Sequence, residues 1–330
     1  MKIGKIPEAV LKRSVFKQIR HRREEVLVRP GIGLDCSMLE LGPEEICVLS
    51  TDPITGTIED IGALAVHVTA NDVACSGADV IGIMISILLP YPTSEVDLKV
   101  LIRDMEAECE KLNIEILGGH TECTKAVNQP IVTVTGVGKM KKDQVMSTKK
   151  IKAGQEIVMT KYAGLEGTAI LANAKEEKLR TRYASTFLEE AKGFIKDISI
   201  LPEANICKQM KVTAMHDVTE GGLYGALWEL GASANLGLEV NLDQIPMRQE
   251  TIEICEFFDL NPYQLISSGS LLIVTEEANH VVAELEKNGI KATVIGKMIE
   301  GNDRVVYNEE ERRFLAPAKA DELYKAMMEE

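Results

Sequence analysis

Three aspartates, Asp35, Asp52 and Asp72, have the residue type and surroundings for metal chemistry, because each stands beside apolar sequence where a charge needs a partner. The run Ile46 to Leu49 predicts a short strand opening into the polar turn Ser50-Thr51-Asp52-Pro53. After Gly56, Ile61, Leu64, Ala65 and Val68 fall at offsets 0, 3, 4 and 7, the spacing of a helix face turned to a core, and Asp72 continues that stripe at offset 11. A carboxylate there is costly to keep charged unless a cation or several donors meet it. Should Asp52 and Asp72 converge, a divalent cation would remove their repulsion, and magnesium holding a nucleotide is the commonest reason for such an arrangement in an α/β protein. The alternative is that Asp52 caps a turn and Asp72 closes its helix. The spacing leaves both readings open.

Three glycine-bearing loops could hold anions near such a cation. In Arg29-Pro30-Gly31-Ile32-Gly33-Leu34-Asp35, Gly31 and Gly33 let the backbone approach a ligand and place Asp35 just beyond. The Gly-Lys-Ser/Thr ending of a P-loop is missing, so a simple turn competes with this reading. The apolar run Ile114 to Leu117 predicts a strand that ends in Gly118-Gly119-His120-Thr121-Glu122, a loop suited to ligand contact, with His120 either a candidate acid or base or a plain hydrogen-bonding residue. Finally, a strand over Lys211 to Met215 leads into His216-Asp217-Val218-Thr219-Glu220-Gly221-Gly222. Leu223, Ala226, Leu227, Leu230 and Ala234 then mark a helix, with Thr219 as its predicted N-cap and Gly221 and Gly222 leaving its N-terminus open to an anion. A plain capped strand-to-helix turn would have the same sequence.

The elements that must position these residues predict a layered α/β protein. Hydrophobic residues make up 45% of the 330 and aromatics only 4%, so the cores must be aliphatic. That length predicts two domains, 1–150 and 151–330, divided at the charged connector that ends near Lys150. A net charge of −14 excludes a general nucleic-acid binder or anionic-membrane binder. The basic cluster Lys12, Arg13, Lys17, Arg20, His21, Arg22 and Arg23 reads as the solvated face of a helix over Pro7 to Arg23. Seven cysteines without a C-x-x-C pair indicate reduced thiols, and no apolar stretch is long enough to span a bilayer. A cytoplasmic protein, with no membrane partner, is expected. Further helices are predicted over Ser94 to Leu112, with Val96, Val100, Ile102, Met105 and Cys109 inside, and in the tail from Pro317.

Ser50-Thr51-Asp52, the helix end Ala70-Asn71-Asp72-Val73-Ala74-Cys75-Ser76-Gly77-Ala78, Gly118-Gly119-His120-Thr121 and Asp217-Val218-Thr219-Glu220-Gly221-Gly222-Leu223 occur in this order along nearly the whole chain. The series resembles the PurM-like superfamily, which holds aminoimidazole ribonucleotide (AIR) synthetase (PurM), thiamine-monophosphate kinase, selenophosphate synthetase and the hydrogenase-maturation factor HypE. Lys2-Ile3-Gly4-Lys5-Ile6-Pro7 and Gly164-Leu165-Glu166-Gly167-Thr168 look most like the HypE-related branch of AIR synthase related proteins. The resemblance implies an N-terminal ATP-binding domain whose mixed sheet forms a barrel with its twin in a homodimer, and a C-terminal α/β sandwich. It implies that Asp35, Asp52 and Asp72 bind Mg2+, and that Asn71 and the Gly118 to Thr121 loop contact ATP, with Gly31, Gly33 and Thr51 beside them. Asp217, Gly221 and Gly222 would form the phosphate and acceptor loop.

Departures from the family pattern bear on the reaction. HypE enzymes carry a terminal cysteine that bears the carbamoyl group, whereas the last cysteine here is Cys255, so cyanide formation is not expected. The cysteine or selenocysteine and lysine of selenophosphate synthetases are also missing, and His120 stands where PurM has Glu in its Gly-Gly-Glu-Thr loop. The expected function is Mg-ATP-dependent activation of a small-molecule acceptor by phosphoryl transfer, with His120 and Asp217 as catalytic candidates. A nucleotide-binding scaffold in a maturation complex, working with a maturation partner protein, is the alternative. A maturation enzyme that uses Cys36, Cys75 or Cys123 as its thiolate is a third.

Overall fold

The computed structural model describes residues 4–5, 7–29, 38–55, 58–309, 311–317 and 320–328. Gly31, Gly33, Asp35 and Cys36 lie outside them. The chain forms two compact units, Met1–Ala74 with Ala78–Val145, and Cys75–Gly77 with Met146–Glu330.

The first unit is built on a five-stranded mixed sheet. Its strands are β1 (Gly4–Lys5), β4 (Glu45–Thr55), β5 (Asp79–Pro90), β6 (Glu115–Thr124) and β7 (Ile131–Lys141), in the order β1-β6-β5-β7-β4. β5 and β6 run parallel and the other neighbours antiparallel. A separate hairpin joins β2 (Val26–Val28) to β3 (Met38–Leu39). Helix α1 (Glu8–Val10) passes at once into a π-helical stretch, Leu11–Phe16, well short of the single helix predicted to Arg23.

Two long helices belong to this unit, α2 (Ile58–Cys75) and α3 (Glu95–Leu112). The α3 N-terminus has a full capping box, with Ser94 accepting from the Asp97 N–H and Asp97 accepting from the Ser94 N–H. Its inner face is Leu98, Leu101, Ile102, Met105 and Cys109, while Val96, expected inside, is exposed. Tight packing is made possible by missing side chains: a Cβ on Gly136 would come within 2.9 Å of Thr69 and Val73, and one on Gly138 within 2.5 Å of Val73.

Lys12, Arg13, Lys17, Arg20 and Arg22 of the basic N-terminal cluster are exposed, as a solvated face requires, and the same segment also supplies donors to the unit's carboxylates. Arg13 and Ser14 bind Glu95 at 2.5 and 2.7 Å, and the Arg20 and His21 N–H groups both donate to buried Glu106. Fully buried Glu115 accepts from the Arg23 N–H at 2.6 Å and from Arg29 Nε at 2.8 Å. Buried carboxylates need such donors, and here they are mainly main-chain N–H groups of this segment, with the Arg29 guanidinium as the charged one.

The second unit carries a seven-stranded sheet. Its strands are β8 (Glu156–Thr160), β9 (Val212–Asp217), β10 (Gly237–Asn241), β11 (Leu271–Thr275), β12 (Ala292–Ile299), β13 (Arg304–Asn308) and β14 (Glu311–Phe314), in the order β14-β13-β10-β12-β8-β11-β9. Only β10 and β13 pair in parallel. The helices are α4 (Leu165–Ala174), α5 (Glu176–Leu179), α6 (Ser185–Lys192), α7 (Leu201–Cys207), α8 (Gly222–Ala234), α9 (Gln249–Phe257), α10 (Ala278–Lys287) and α11 (Glu322–Met328). Sheet residues such as Ile157, Leu238 and Leu272 pack on Leu223, Leu227 and Leu230 of α8. A second apolar cluster joins Leu171, Leu188, Ile254 and Ala326, so α11 is seated in that core. No helix among the described residues is long and apolar enough to cross a membrane.

Candidate functional site

Strand β4 runs unbroken through Ser50-Thr51-Asp52-Pro53, where a turn was predicted, and pairs with β7 along its whole length. Pro53 fits because β4 is an edge strand and a proline there loses no ladder bond on its open side. Strand alternation then sorts the candidates. Ile46, Val48, Ser50, Asp52 and Ile54 are half-buried, while Cys47, Leu49, Thr51, Pro53 and Thr55 are exposed.

On the half-buried face, Ser50 Oγ donates to Asp72 Oδ2 at 2.5 Å. Asp52 is two residues along the same face, and its Oδ2 is buried with no hydrogen-bond partner. Asn71, next to Asp72, is fully buried. Helix α2 is buried over more of its circumference than the predicted stripe, with Ala65, Val66, Thr69, Ala70 and Val73 at the centre. Asp72, with Leu64 and Val68, lies at the half-buried margin of that surface. The half-buried Asp72 carboxylate and the orphan oxygen of Asp52, which shares a strand face with the Ser50 that binds Asp72, are hard oxygens, the kind magnesium takes in ones and twos while keeping water and phosphate as its other ligands. Asp52 and Asp72 therefore fit such an ion. Among the described residues no three His, Cys, Asp or Glu side chains gather into a metal-binding group.

The opposite face of the sheet collects other candidates. Thr51 is exposed, with its hydroxyl 3.1 Å from the Val134 carbonyl and 3.0 Å from Thr135 Oγ1. Ladder pairing aligns Pro53 with Thr133, Ser86 and His120, so His120 shares the open face with Thr51. There His120 Nε2 meets Glu122 Oε2 at 3.2 Å. The first unit thus does not bring His120 to Asp52 and Asp72. Thr121, one residue on, turns back to the buried face. Gly118 and Gly119 lie within β6, not in a loop, at φ of 152° and 146°. Any Cβ on Gly119 would fall 1.7 Å from the Ile85 carbonyl oxygen, so close strand packing alone requires glycine there.

In the second unit, β9 extends to Asp217, which is buried at its C-terminal end. Gly221, not Thr219, is the N-cap of α8, in the left-handed region at φ 82° and without a local side-chain cap. Its N–H donates 2.6 Å to Asp321 Oδ2, a carboxylate from a hundred residues downstream. Gly222 is packed so that a Cβ would lie 2.6 Å from the Leu265 carbonyl and 2.7 Å from that of Tyr263. Around this loop, Gly164 donates its N–H to Ser267 Oγ at 2.7 Å, and the Ser268 N–H donates to buried Glu166 at 3.3 Å. Burial pushes the Glu166 carboxyl above the ordinary range. Glu166 lies in the Gly164 to Thr168 stretch that the sequence singled out without giving that carboxylate a role, and Asp321 went unflagged because it sits in no motif. The only signal for Asp321 was a carboxylate just before a helical tail.

Burial works against thiolate formation at three of the described cysteines. Burial pushes Cys207 and Cys255 up to about 12 and Cys109 higher than its ordinary value. Cys123 is buried, with its thiol toward the Pro90 carbonyl at 3.5 Å. Cys75 is half-buried and Cys47 exposed.

Two α/β units, one with a mixed sheet whose half-buried face carries Asp52 and the Ser50–Asp72 bond and one with a glycine turn opening a buried helix, define a PurM-like protein. The chain belongs to the AIR synthase related family: residues 33–140 match its N-terminal domain and residues 152–308 its C-terminal domain. A protein of Methanocaldococcus jannaschii, provisionally named a hydrogenase expression/formation protein, is 27% identical over 89% of this chain and 88% of its own length. Carbamoyl dehydratase HypE of Azotobacter vinelandii is 26% identical over 83% of this chain and 81% of its own. The fold matches a crystal structure of hydrogenase maturation protein HypE in complex with ATP, with TM-score 0.82, 20% identity and coverage of 98% and 97% of the two chains. A HypE–HypF complex matches with TM-score 0.72 at 20% identity over 82% of this chain and 90% of that one.

Proposed function

We propose that this chain is a Mg-ATP-dependent, HypE-like enzyme that activates a small-molecule acceptor by phosphoryl transfer. The observation that carries the reading is the buried, unpartnered Asp52 Oδ2 on the same strand face as the Ser50–Asp72 pair. An ionised oxygen without a donor is costly, and a cation offsets that cost. Magnesium, when bound, would neutralise charge on the phosphoryl group being transferred. Asp52 and Asp72 would hold it together with Asp35, and Asn71, Thr121, Gly118, Gly119, Gly31 and Gly33 are the proposed nucleotide contacts, with Thr51 set apart from them on the opposite face. Asp217, Gly221 and Gly222 form the proposed loop for phosphate and acceptor. His120, paired with Glu122 on the open face, keeps a proposed role only as an acid or base remote from the two acids of its own unit.

Support for nucleotide use comes from the HypE structure solved with ATP, and support for a partner protein from the HypE–HypF complex. A homodimer formed through the open face of the five-stranded sheet is part of the proposal, since Leu49 and Met84 stand 65% and 40% exposed there. The test is ADP release from Mg-ATP with and without a library of metabolites. Acceptor-stimulated release that disappears in Asp52→Asn supports the enzyme, and absence of both Mg-ATP binding and ADP release counts against it. The same HypE–HypF complex favours a second reading, a nucleotide-binding scaffold, whose signature is tight Mg-ATP binding with no turnover in the presence of any acceptor.

A further inference from the structure

The α8 N-terminus is a glycine turn held by a side chain from the far end of the chain. Gly221 adopts φ 82° and has no local cap, so its N–H depends on a distant acceptor. Asp321 is that acceptor, and it is 2% exposed. Its Oδ2 takes the Gly221 N–H at 2.6 Å, while Oδ1 takes the Ile266 N–H at 3.1 Å and the Leu323 N–H at 2.8 Å. One carboxylate thus ties together the Asp217 to Gly222 turn, the 263–268 segment and the start of α11. The first two are already interlocked, because the Ser267 N–H donates to the Thr219 carbonyl at 3.3 Å and the Val218 N–H to the Ser270 carbonyl at 3.0 Å.

Burial raises the Asp321 carboxyl above its ordinary range even though three N–H donors pull the other way, and Glu220 adds to the rise. A carboxylate that accepts N–H bonds from three separate segments fixes their positions relative to one another. We propose that Asp321 is a positioning residue for the Asp217 to Gly222 loop, setting the direction of the Gly221 and Gly222 backbone for a phosphoryl group or its acceptor. This rests on the proposed phosphoryl-transfer reading.

Asp321→Asn in the full chain separates position from stability. The amide oxygen can still accept from Ile266 and Leu323, but its NH2 meets the Gly221 N–H donor to donor, so the turn is released while α11 stays seated. The expected result is a melting temperature a few degrees below wild type, from the unsatisfied Gly221 N–H, and a Mg-ATP Kd within about twofold, with kcat for ADP release lowered about tenfold or more. Amide exchange in peptides covering 215–224 should speed up about tenfold or more while that in β8 and β12 is unchanged. Wild-type kcat and wild-type exchange in the variant, uniformly faster exchange throughout the second unit, or failure to fold would each overturn the proposal. If the wild-type chain neither binds nor turns over Mg-ATP, the phosphoryl-transfer reading fails on that arm alone, and the exchange comparison still decides whether Asp321 positions the loop.

Discussion

Replacing Asp52 by asparagine keeps the shape of the side chain and removes its charge, which separates a magnesium ligand from a structural polar residue. In the apo protein Asp52 Oδ2 makes no hydrogen bond, so the substitution breaks none at that oxygen. An unsatisfied buried polar atom costs about 1–3 kcal/mol, more when charged. An amide in the same position keeps the neutral part of that cost and loses the charged part. The apo variant should therefore melt at the wild-type temperature or slightly above it. Saturating Mg-ATP, at about a hundred times its Kd, should add about 2.7 kcal/mol to the wild type. For a unit of this size that corresponds to roughly 5 to 10 °C in Tm. In Asp52→Asn the increment should fall to about 2 °C or less, because a neutral amide is a poor magnesium ligand. Asp72→Asn is the companion variant: the Ser50 hydroxyl can still donate to the amide oxygen, so apo stability again holds while the increment falls. Thermal shift with and without Mg-ATP on the three proteins is the assay. An increment in Asp52→Asn equal to that of the wild type would refute the metal assignment.

Gly119→Ala should destabilise the first unit by about 3 kcal/mol or more, since the new Cβ would overlap the Ile85 carbonyl, and urea unfolding measures it. Glu115→Ala strips buried partners from Arg23 and Arg29 and should cost about 3–5 kcal/mol in the same assay, whereas a loss under about 1 kcal/mol would show that the basic cluster is dispensable. The hydrogen bond from Arg23 holds the Glu25 carboxyl down at about 2 against an ordinary 4.5, with burial opposing. A depressed carboxyl stabilises above its unfolded value and loses that contribution as pH falls through its folded one, so between pH 4.5 and 2 wild-type stability should drop more steeply than that of Glu25→Gln. Light scattering should give twice the 36.3 kDa chain mass, and Leu49→Asp on the open sheet face should return it to the monomer value.

Local pattern was enough for much of this chain. The apolar spacing from Ser94 to Leu112 predicted α3 within a residue, because periodicity is an interaction within one or two turns, and the structure adds the Ser94 capping box at its start. The spacing after Gly221 likewise predicted α8. Ordered motifs pointed to the family, which the domain matches then showed. Patterns that imitate turns misled: Ser50-Thr51-Asp52-Pro53 and Gly118-Gly119-His120 both look like breaks, yet both continue strands. Edge position tolerates Pro53, and the close approach of β5 to β6 requires Gly119, and neither is a local property.

The sequence by itself determined where the carboxylates and glycines fall along the chain, because spacing within a helix or strand is fixed by covalent geometry. Tertiary structure decided which of them share a face. A single residue of strand alternation separates Thr51 from Asp52 and His120 from Thr121, so neighbours in sequence end on opposite sides of one sheet. It also decided what holds the second glycine turn. Gly221 and Asp321 are a hundred residues apart, and only the seating of Ala326 in the apolar core beside Leu171 and Ile254 brings the carboxylate to the N–H.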